Sequence, residues 1–256
     1  MNHTAALKIW LPLCVLAFVA ANNSFAAGES IEIVKAEGGV TVSDKPDGKQ
    51  STVTTKSTLP AANVISTGPN GRAVVKVGGT GYIVLEKNSQ VEMNNSSKGF
   101  FRQLTGMVYY AVNSIKGKDR SLEVRTKTAT MGIRGTRFIV TDVPERQEVG
   151  MRKGTVSVES SDGDFEIHKK AEMDEFEAMK REAEAAVNKE KSDFEAYKAT
   201  TEKEFVEFKR EFSLSADRMV SFNGKRVDDR PLSGETKKDM ETLEGFADAW
   251  LKQVHD

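Results

Sequence analysis

The residues whose types and spacing could support binding chemistry are concentrated in one short string near the middle of the chain. It reads, in order, Gly132, Ile133, Arg134, Gly135, Thr136, Arg137 and Phe138. Arginines bind carboxylates and phosphates, and glycines let a backbone approach a ligand closely, so the string could hold an anion. The same glycines also suit a bulge or a close crossing of two strands. Strand-like alternation resumes at Thr136, Phe138 and Val140, which favours the second, structural interpretation.

Other residue patterns with known chemistry are incomplete. Gly78, Gly79 and Gly81 are not followed by the lysine and helix start of a phosphate-binding loop. His168 and His255 are isolated along the chain, and the single cysteine lies near the N-terminus, so the sequence predicts no metal site built from these ligands. The motifs of serine and zinc hydrolases do not occur. We therefore expect no catalytic residues, no metal and no cofactor.

The elements that would position these residues are mostly strands. Between residues 28 and 168, valine, isoleucine and threonine alternate with polar residues at period two, and Asp-Gly and Asn-Gly pairs supply turns. Similar strands are entered through Gly39, Gly154 and, more faintly, Gly106. This repetition predicts a β-roll or β-sandwich and not a simple meander.

Residues 1–27 form a separate segment by composition. Lys8 precedes an apolar run of about 13 residues, and small residues follow around Ala26, as in a cleaved secretory signal. A membrane-spanning helix needs roughly 20 apolar residues, so we expect no stable span after cleavage. The alternative is that the segment is kept as an N-terminal anchor. The sequence thus predicts a periplasmic or secreted protein. The formal net charge of −1 gives no reason to expect nucleic-acid binding.

A change in composition at Lys169 predicts a charged, coiled-coil-like helical segment. Residues 169–212 contain no glycine or proline and are rich in Glu, Lys and Ala, which favour helix. Aromatic residues recur there at intervals of about 18 and 11 residues, close to whole helical turns, so they would share one face. The candidate partner-binding residues on that face are Phe176, Phe194, Tyr197, Phe205 and Phe208.

Two arrangements of this helical segment stay open from its residues alone. A break near Ser192 would give a helical hairpin, whereas an unbroken helix could pair with a second copy in a homo-oligomer. Residues 213–256 return to strand-like sequence and end in an amphipathic helix. Ser233 precedes that helix, and its apolar side, with Met240 and Leu243, should dock on the β domain.

Taken together, these segments resemble the FecR domain, a family of bacterial envelope modules, over about residues 37–160. The resemblance depends most on the Gly-Ile-Arg-Gly-Thr-x-Phe string, and the order of the strands around it supports it. In FecR domains a strand of the type Val-x-Leu-x-Ala-Gly directly follows a Gly-x-Val-x-Val strand. The similar strand here begins near Phe212, after the helical segment. The resemblance therefore implies that the segment is an insertion, which favours the hairpin, and that deleting Lys169 to Glu211 leaves the β domain folded.

The resemblance also implies a binding or regulatory role. We expect a non-enzymatic periplasmic module that recognises an envelope protein or cell-wall component and serves signalling. FecR proteins that regulate transcription carry a cytoplasmic segment that contacts a sigma factor; only about eight residues precede the apolar run here, so that contact is not expected. The alternative is a periplasmic chaperone or envelope scaffold with helical arms on a β body. A third class is an enzyme acting on cell-wall polymer.

Overall fold

The computed structural model describes residues 30–59, 62–94, 100–113, 122–169 and 205–254. In these ranges the chain is mainly β, as the alternating pattern predicts. The first nine strands are β1 Ile31–Glu37, β2 Val40–Ser43, β3 Ser51–Thr52, β4 Ser57–Leu59, β5 Ala62–Thr67, β6 Arg72–Val77, β7 Gly81–Leu85, β8 Gln90–Asn94 and β9 Phe100–Val112. The next six are β10 Leu122–Arg125, β11 Ala129–Ile133, β12 Arg137–Val143, β13 Arg146–Lys153, β14 Thr155–Ser160 and β15 Phe165–Lys169. The last are β16 Phe205–Lys209, β17 Glu211–Ser215, β18 Arg218–Asn223 and β19 Arg226–Pro231, followed by helix α1 at Gly234–Leu251.

The strands form two sheets that share one long strand. Sheet A has the order β4-β1-β6-β7-β9-β12-β13-β18-β19-β15-β16. Sheet B has the order β3-β2-β5-β8-β9-β10-β11-β14-β17. Neighbours are antiparallel except β9 with β10 and β15 with β19, which are parallel. The predicted roll or sandwich is therefore two sheets joined through β9.

Strand β9 changes sheets at Gly106. The residues up to Thr105 pair with β8 in sheet B, and those from Gly106 onward pair with β12 in sheet A. Gly106 has a φ of +96°, and a Cβ atom built there would lie 2.4 Å from the Cα of Ser89. The bend therefore needs a residue without a side chain, both for its conformation and for the close approach.

The main core lies between the two sheets. Val108, Tyr110 and Phe138 point into it, and the rings of Tyr110 and Phe138 stack with centroids 5.0 Å apart. The alternate residues of the same strands, such as Tyr109 and Ile139, point to the other face of sheet A, where they are also buried. Because the central strands of sheet A are covered on both faces, their sequences are continuously apolar.

Helix α1 covers that outer face of sheet A. Its first turn is capped by Ser233, whose hydroxyl accepts a hydrogen bond from the Thr236 backbone N–H at 3.1 Å. Met240 and Leu243 are buried against the sheet, which confirms the predicted amphipathic helix and its docking. Arg146 of β13 also binds Asp239 at 2.7 Å. Within the described residues, no helix is long and apolar enough to cross a membrane.

The predicted helical segment, residues 169–212, is wrong at both of its ends. Lys169 is the last residue of β15, and Phe205–Lys209 and Glu211–Ser215 form β16 and β17. Strand β16 pairs with β15, and β17 pairs with β14, so backbone pairing prevails over the helix propensity of a Glu- and Lys-rich sequence. Residues 170–204, which include Phe176, Phe194 and Tyr197, lie outside the described residues. The choice between hairpin and single helix stays a prediction.

The chain leaves and re-enters sheet A at one place. Lys169 and Phe205 are direct partners in the antiparallel register of β15 and β16. Directly opposed residues of an antiparallel pair have Cα atoms roughly 5 Å apart. Strand β17 in turn lies beside β14, with Phe212 opposite Val158, so the strands that the resemblance makes neighbours are neighbours here. The segment that connects these two strands is therefore residues 170–204.

Because Lys169 and Phe205 are paired, the segment to delete is 170–204 and not 169–211. Replacing residues 170–204 by Asn-Gly should close β15 and β16 with a two-residue type I′ turn. The shortened chain should keep its β circular-dichroism signal and unfold in one cooperative transition. Its free energy of unfolding should be unchanged or higher by up to about 2 kcal/mol, because a shorter loop costs less closure entropy. Deletion of 169–211 is the comparison, and it should destabilise the fold because it removes β16. Loss of the β signal in the 170–204 deletion would contradict the register.

Candidate partner-binding edge

The Gly132–Phe138 string forms a corner between the two sheets. Strand β11 ends at Ile133 in sheet B, and β12 begins at Arg137 in sheet A. Gly135 lies between them with a φ of +62°, a backbone conformation that suits glycine. Ile133 and Phe138 are buried in the core, and the backbone carbonyl of Thr136 accepts a hydrogen bond from Val112 N at 2.9 Å.

A second glycine packs against this corner. Gly154 connects β13 to β14 with a φ of +83°. A Cβ atom at Gly154 would lie 2.8 Å from the carbonyl oxygen of Gly135 and 2.9 Å from the Cγ2 atom of Thr136. Gly154, which lies outside the string, therefore provides the room that lets its backbone approach the corner closely.

The two arginines of the string do not form one binding site. Arg134 lies at the corner and is exposed. Arg137 is the first residue of β12, and the next residue, Phe138, faces the core. Because neighbouring side chains of a strand point to opposite faces, Arg137 lies on the α1 side of sheet A, as Ile139 does. Arg137 is half-buried and lines a cavity next to α1, and Arg134 does not line that cavity.

The edge strands of the two sheets differ in length. The longer edge strands are β16 in sheet A and β17 in sheet B. At the opposite edges, β3 has two residues and β4 has three. Strands β16 and β17 have five residues each and pair on one side only within the described residues. Short edge strands present few unpaired backbone groups, so β16 and β17 are the edges that could accept another strand.

Strand β16 is the apolar one of these two edges. The exposed fractions are 70% for the Phe208 side chain and 43% for Val206, and no other large apolar residue in the described ranges is classed as exposed. The two residues are two positions apart, so they lie on the same face of the strand. The exposed residues of β17 are Glu211, Ser213 and Ser215, which are polar. We name Val206, Phe208 and the free side of β16 the β16 edge.

Charged residues flank the β16 edge. Glu207 points to the opposite face from Phe208, and its carboxylate is 3.1 Å from the Nζ atom of Lys169. Hydrogen bonds from Lys209 and then Lys169 lower the pKa of Glu207, so this carboxylate stays ionised at neutral pH. The partner positions of Val206 and Phe208 on β15 are His168 and Glu166, and the Nε2 atom of His168 is 2.8 Å from the Glu166 carboxylate.

Two of the five predicted partner-binding residues belong to this edge. Phe205 begins β16, and Phe208 is the most exposed large apolar residue described. They lie on a strand and not on the predicted helix face. Val206 was not predicted, although the alternation of apolar and charged residues from Val206 to Lys209 could have indicated it. The described residues contain no group of His, Cys, Asp and Glu side chains that could hold a metal ion.

One comparison with known proteins, the match to a family model, agrees with the resemblance of the sequence. Residues 63–157 match the family model described as FecR protein, a stretch that contains the corner string. No curated protein matches the chain. Two crystal structures of candidate anti-sigma factors from Parabacteroides distasonis are similar to it, each at 13% sequence identity. The first has a TM-score of 0.46 and covers 71% of this chain, and the second has a TM-score of 0.37 and covers 84%. The chain spans 65% of the length of each.

A glycine-to-alanine substitution, which adds one methyl group, tests whether the two backbones at the corner are too close for a side chain. Gly154→Ala should lower the free energy of unfolding by about 2 kcal/mol or more, because the new Cβ meets the Gly135 carbonyl and φ is positive. Gly79→Ala is the matched control, since Gly79 is exposed and a Cβ there meets no atom within 4 Å; it should change stability by less than about 0.5 kcal/mol. Urea unfolding measures both. Equal effects of the two substitutions would show that the corner is not sterically constrained.

Proposed function

We propose, from the FecR match over residues 63–157, that this chain is a non-enzymatic signalling module of the bacterial envelope. The FecR family is regulatory and not catalytic, which supports this role. The N-terminal pattern is typical of a cleaved secretory signal and supports a periplasmic or secreted location. In this proposal the module acts by recognising a partner protein of the envelope.

The observation that carries the recognition step is the β16 edge. Strand β16 pairs with β15 on one side, and within the described residues its other side has no partner strand. An extended segment of another protein can add to such an edge through main-chain hydrogen bonds, which is a common mode of peptide recognition. The five residues of β16 offer a ladder of ordinary strand length for this pairing.

The side chains of the edge would give the pairing its selectivity. Phe208 and Val206 present apolar surface on one face, and a partner strand with apolar residues on that face would bury it. Lys209 and Glu207 lie between and beside them, and charges on an edge strand oppose unselective pairing. The β16 edge therefore combines a backbone template with two apolar anchors and charged flanks.

The alternative function, a chaperone or scaffold with helical arms, rests mainly on residues 170–204. Those residues lie outside the described ranges. The aromatic face that motivates the arms is shorter than the sequence indicates, because Phe205 and Phe208 lie on a strand. The signalling module is supported by the family match and by the exposed edge, so it is the function that we propose.

Site-specific crosslinking tests the edge in the full chain. A photoreactive amino acid at Phe208 should give one dominant adduct with an envelope protein in living cells. The same residue at Ser213, which is exposed on β17, is the matched control and should give little of that adduct. With the purified partner, the double substitution Val206→Lys, Phe208→Lys should weaken binding at least tenfold and leave the thermal unfolding midpoint within a few degrees, since both side chains are exposed.

Three results would contradict the proposal. Equal adducts from positions 208 and 213 would show that the β16 edge is not selective. Adducts only between two copies would indicate self-association through this edge. Adducts only with residues 170–204 of the same chain would indicate that the chain covers its own edge.

A further inference from the structure

A second feature of the molecule lies away from the β16 edge, between the C-terminal half of α1 and residues of β12 and β13. A cavity of about 580 Å³ opens there between the helix and the strands. Its charged lining residues are Arg137, Arg152 and Lys153 from the strands and Glu244, Asp248 and Lys252 from the helix side. Ligand sites for small organic molecules usually have volumes of roughly 300 to 1,000 Å³, so this cavity has a suitable size.

The charges around the cavity are unequal. Four cationic side chains and two carboxylates line the cavity, so cations outnumber carboxylates in its lining. The carboxylate of Asp248 is paired with Lys252 at 2.6 Å. The partial negative charge at the C-terminal end of a helix is about half an elementary charge, which is too small to offset this excess. The cavity therefore favours an anion.

Glu244 is already engaged by other groups. Its carboxylate accepts a hydrogen bond from the Tyr109 hydroxyl at 2.6 Å and lies 3.4 Å from Arg152. Burial, together with the hydrogen bond to Glu244, raises the pKa of Tyr109, so its hydroxyl stays protonated and keeps donating. Glu244 is thus directed toward the sheet, and it neutralises the strand cations only in part.

Arg137 supplies the feature that distinguishes this cavity from ordinary surface charge. Its Nε atom is buried and has no hydrogen-bond partner among the described residues. Opposite Arg137 and Phe138, strand β13 carries one extra residue, Arg152, so β13 has a bulge there, which can re-aim the Arg152 side chain beside Arg137. A buried guanidinium donor is destabilising unless an acceptor reaches it, and the cavity is where an acceptor can approach.

We propose that this cavity binds a small organic phosphate. A phosphate at neutral pH carries up to two negative charges, and its oxygens can accept hydrogen bonds from the planar fork of Arg137 while Arg152 contributes charge. The ligand would touch both sheet A and α1. Binding would therefore fasten the helix to the sheet.

Calorimetric titration at fixed ionic strength tests this site. The probes are inorganic phosphate and glucose 6-phosphate, with glucose and chloride as uncharged and simple-anion controls. Saturable binding of glucose 6-phosphate is expected, and Arg137→Gln should weaken it at least tenfold. Arg134→Gln is the matched control from the same string, and its affinity should stay within twofold because Arg134 is exposed and does not line the cavity.

The remaining arms decide the class of ligand. Arg137→Lys keeps the charge and loses the planar fork, so it should bind glucose 6-phosphate more weakly than the unsubstituted chain and more tightly than Arg137→Gln. If circular dichroism shows that Arg137→Gln does not fold, Arg137→Lys replaces it as the test variant. Equal losses in Arg137→Gln and Arg134→Gln, or no saturable binding of either phosphate probe, would overturn the proposal. Binding of citrate in place of phosphate would do so as well. Vesicles of phosphatidylglycerol that bind while glucose 6-phosphate does not would assign the site to a lipid headgroup and overturn the small-molecule proposal.

Discussion

The rest of the structure depends on one strand that belongs to both sheets. Strand β9 passes from sheet B to sheet A at Gly106, and a buried amide holds the bend. The side chain of Gln103 donates to the Gly106 carbonyl at 2.9 Å and to the Val140 carbonyl at 3.1 Å, and it accepts from the Tyr110 hydroxyl at 3.0 Å. These bonds satisfy the polar groups of the amide inside an apolar core and join β9 to β12. The relative position of the two sheets is therefore fixed near the centre of the sandwich.

The features that matter for function follow from this two-sheet arrangement. Because sheet A must be covered on both faces, α1 packs on its outer side and creates the cavity lined by Arg137. Because the chain must cross between sheets, it turns at Gly135, which lies in the Gly132–Phe138 string, and again at Gly154. Because both sheets are open, each has an edge strand, β16 in sheet A and β17 in sheet B, and β16 carries the exposed apolar residues. The cavity beside Arg137 thus results from the packing of α1 on sheet A, and the β16 edge results from the open end of that sheet.

Much of this fold could be predicted from the sequence, and the exceptions have physical reasons. Period-two alternation is a local property, so strands such as β1, β6 and β12 were predicted, as was the capped amphipathic helix α1. Strand β17 agrees with the strand-like sequence that begins near Phe212. The sequence does not predict β16, because its pairing partner β15 is distant along the chain while its own composition favours helix locally. The two arginines of the family string could not be distinguished either. Only the strand register shows that Arg137 lies under α1 and Arg134 does not.

The free side of β16 is the central structural claim, and amide hydrogen exchange of the isolated full chain tests it most directly. Strand β15 is paired on both sides, with β16 and β19, so its amides should be strongly protected. Roughly half of the β16 amides point away from β15 and should exchange close to the rate of unprotected amides. Slow exchange throughout β16, equal to that of β15, would show that another segment already occupies the edge and would contradict its role in partner recognition.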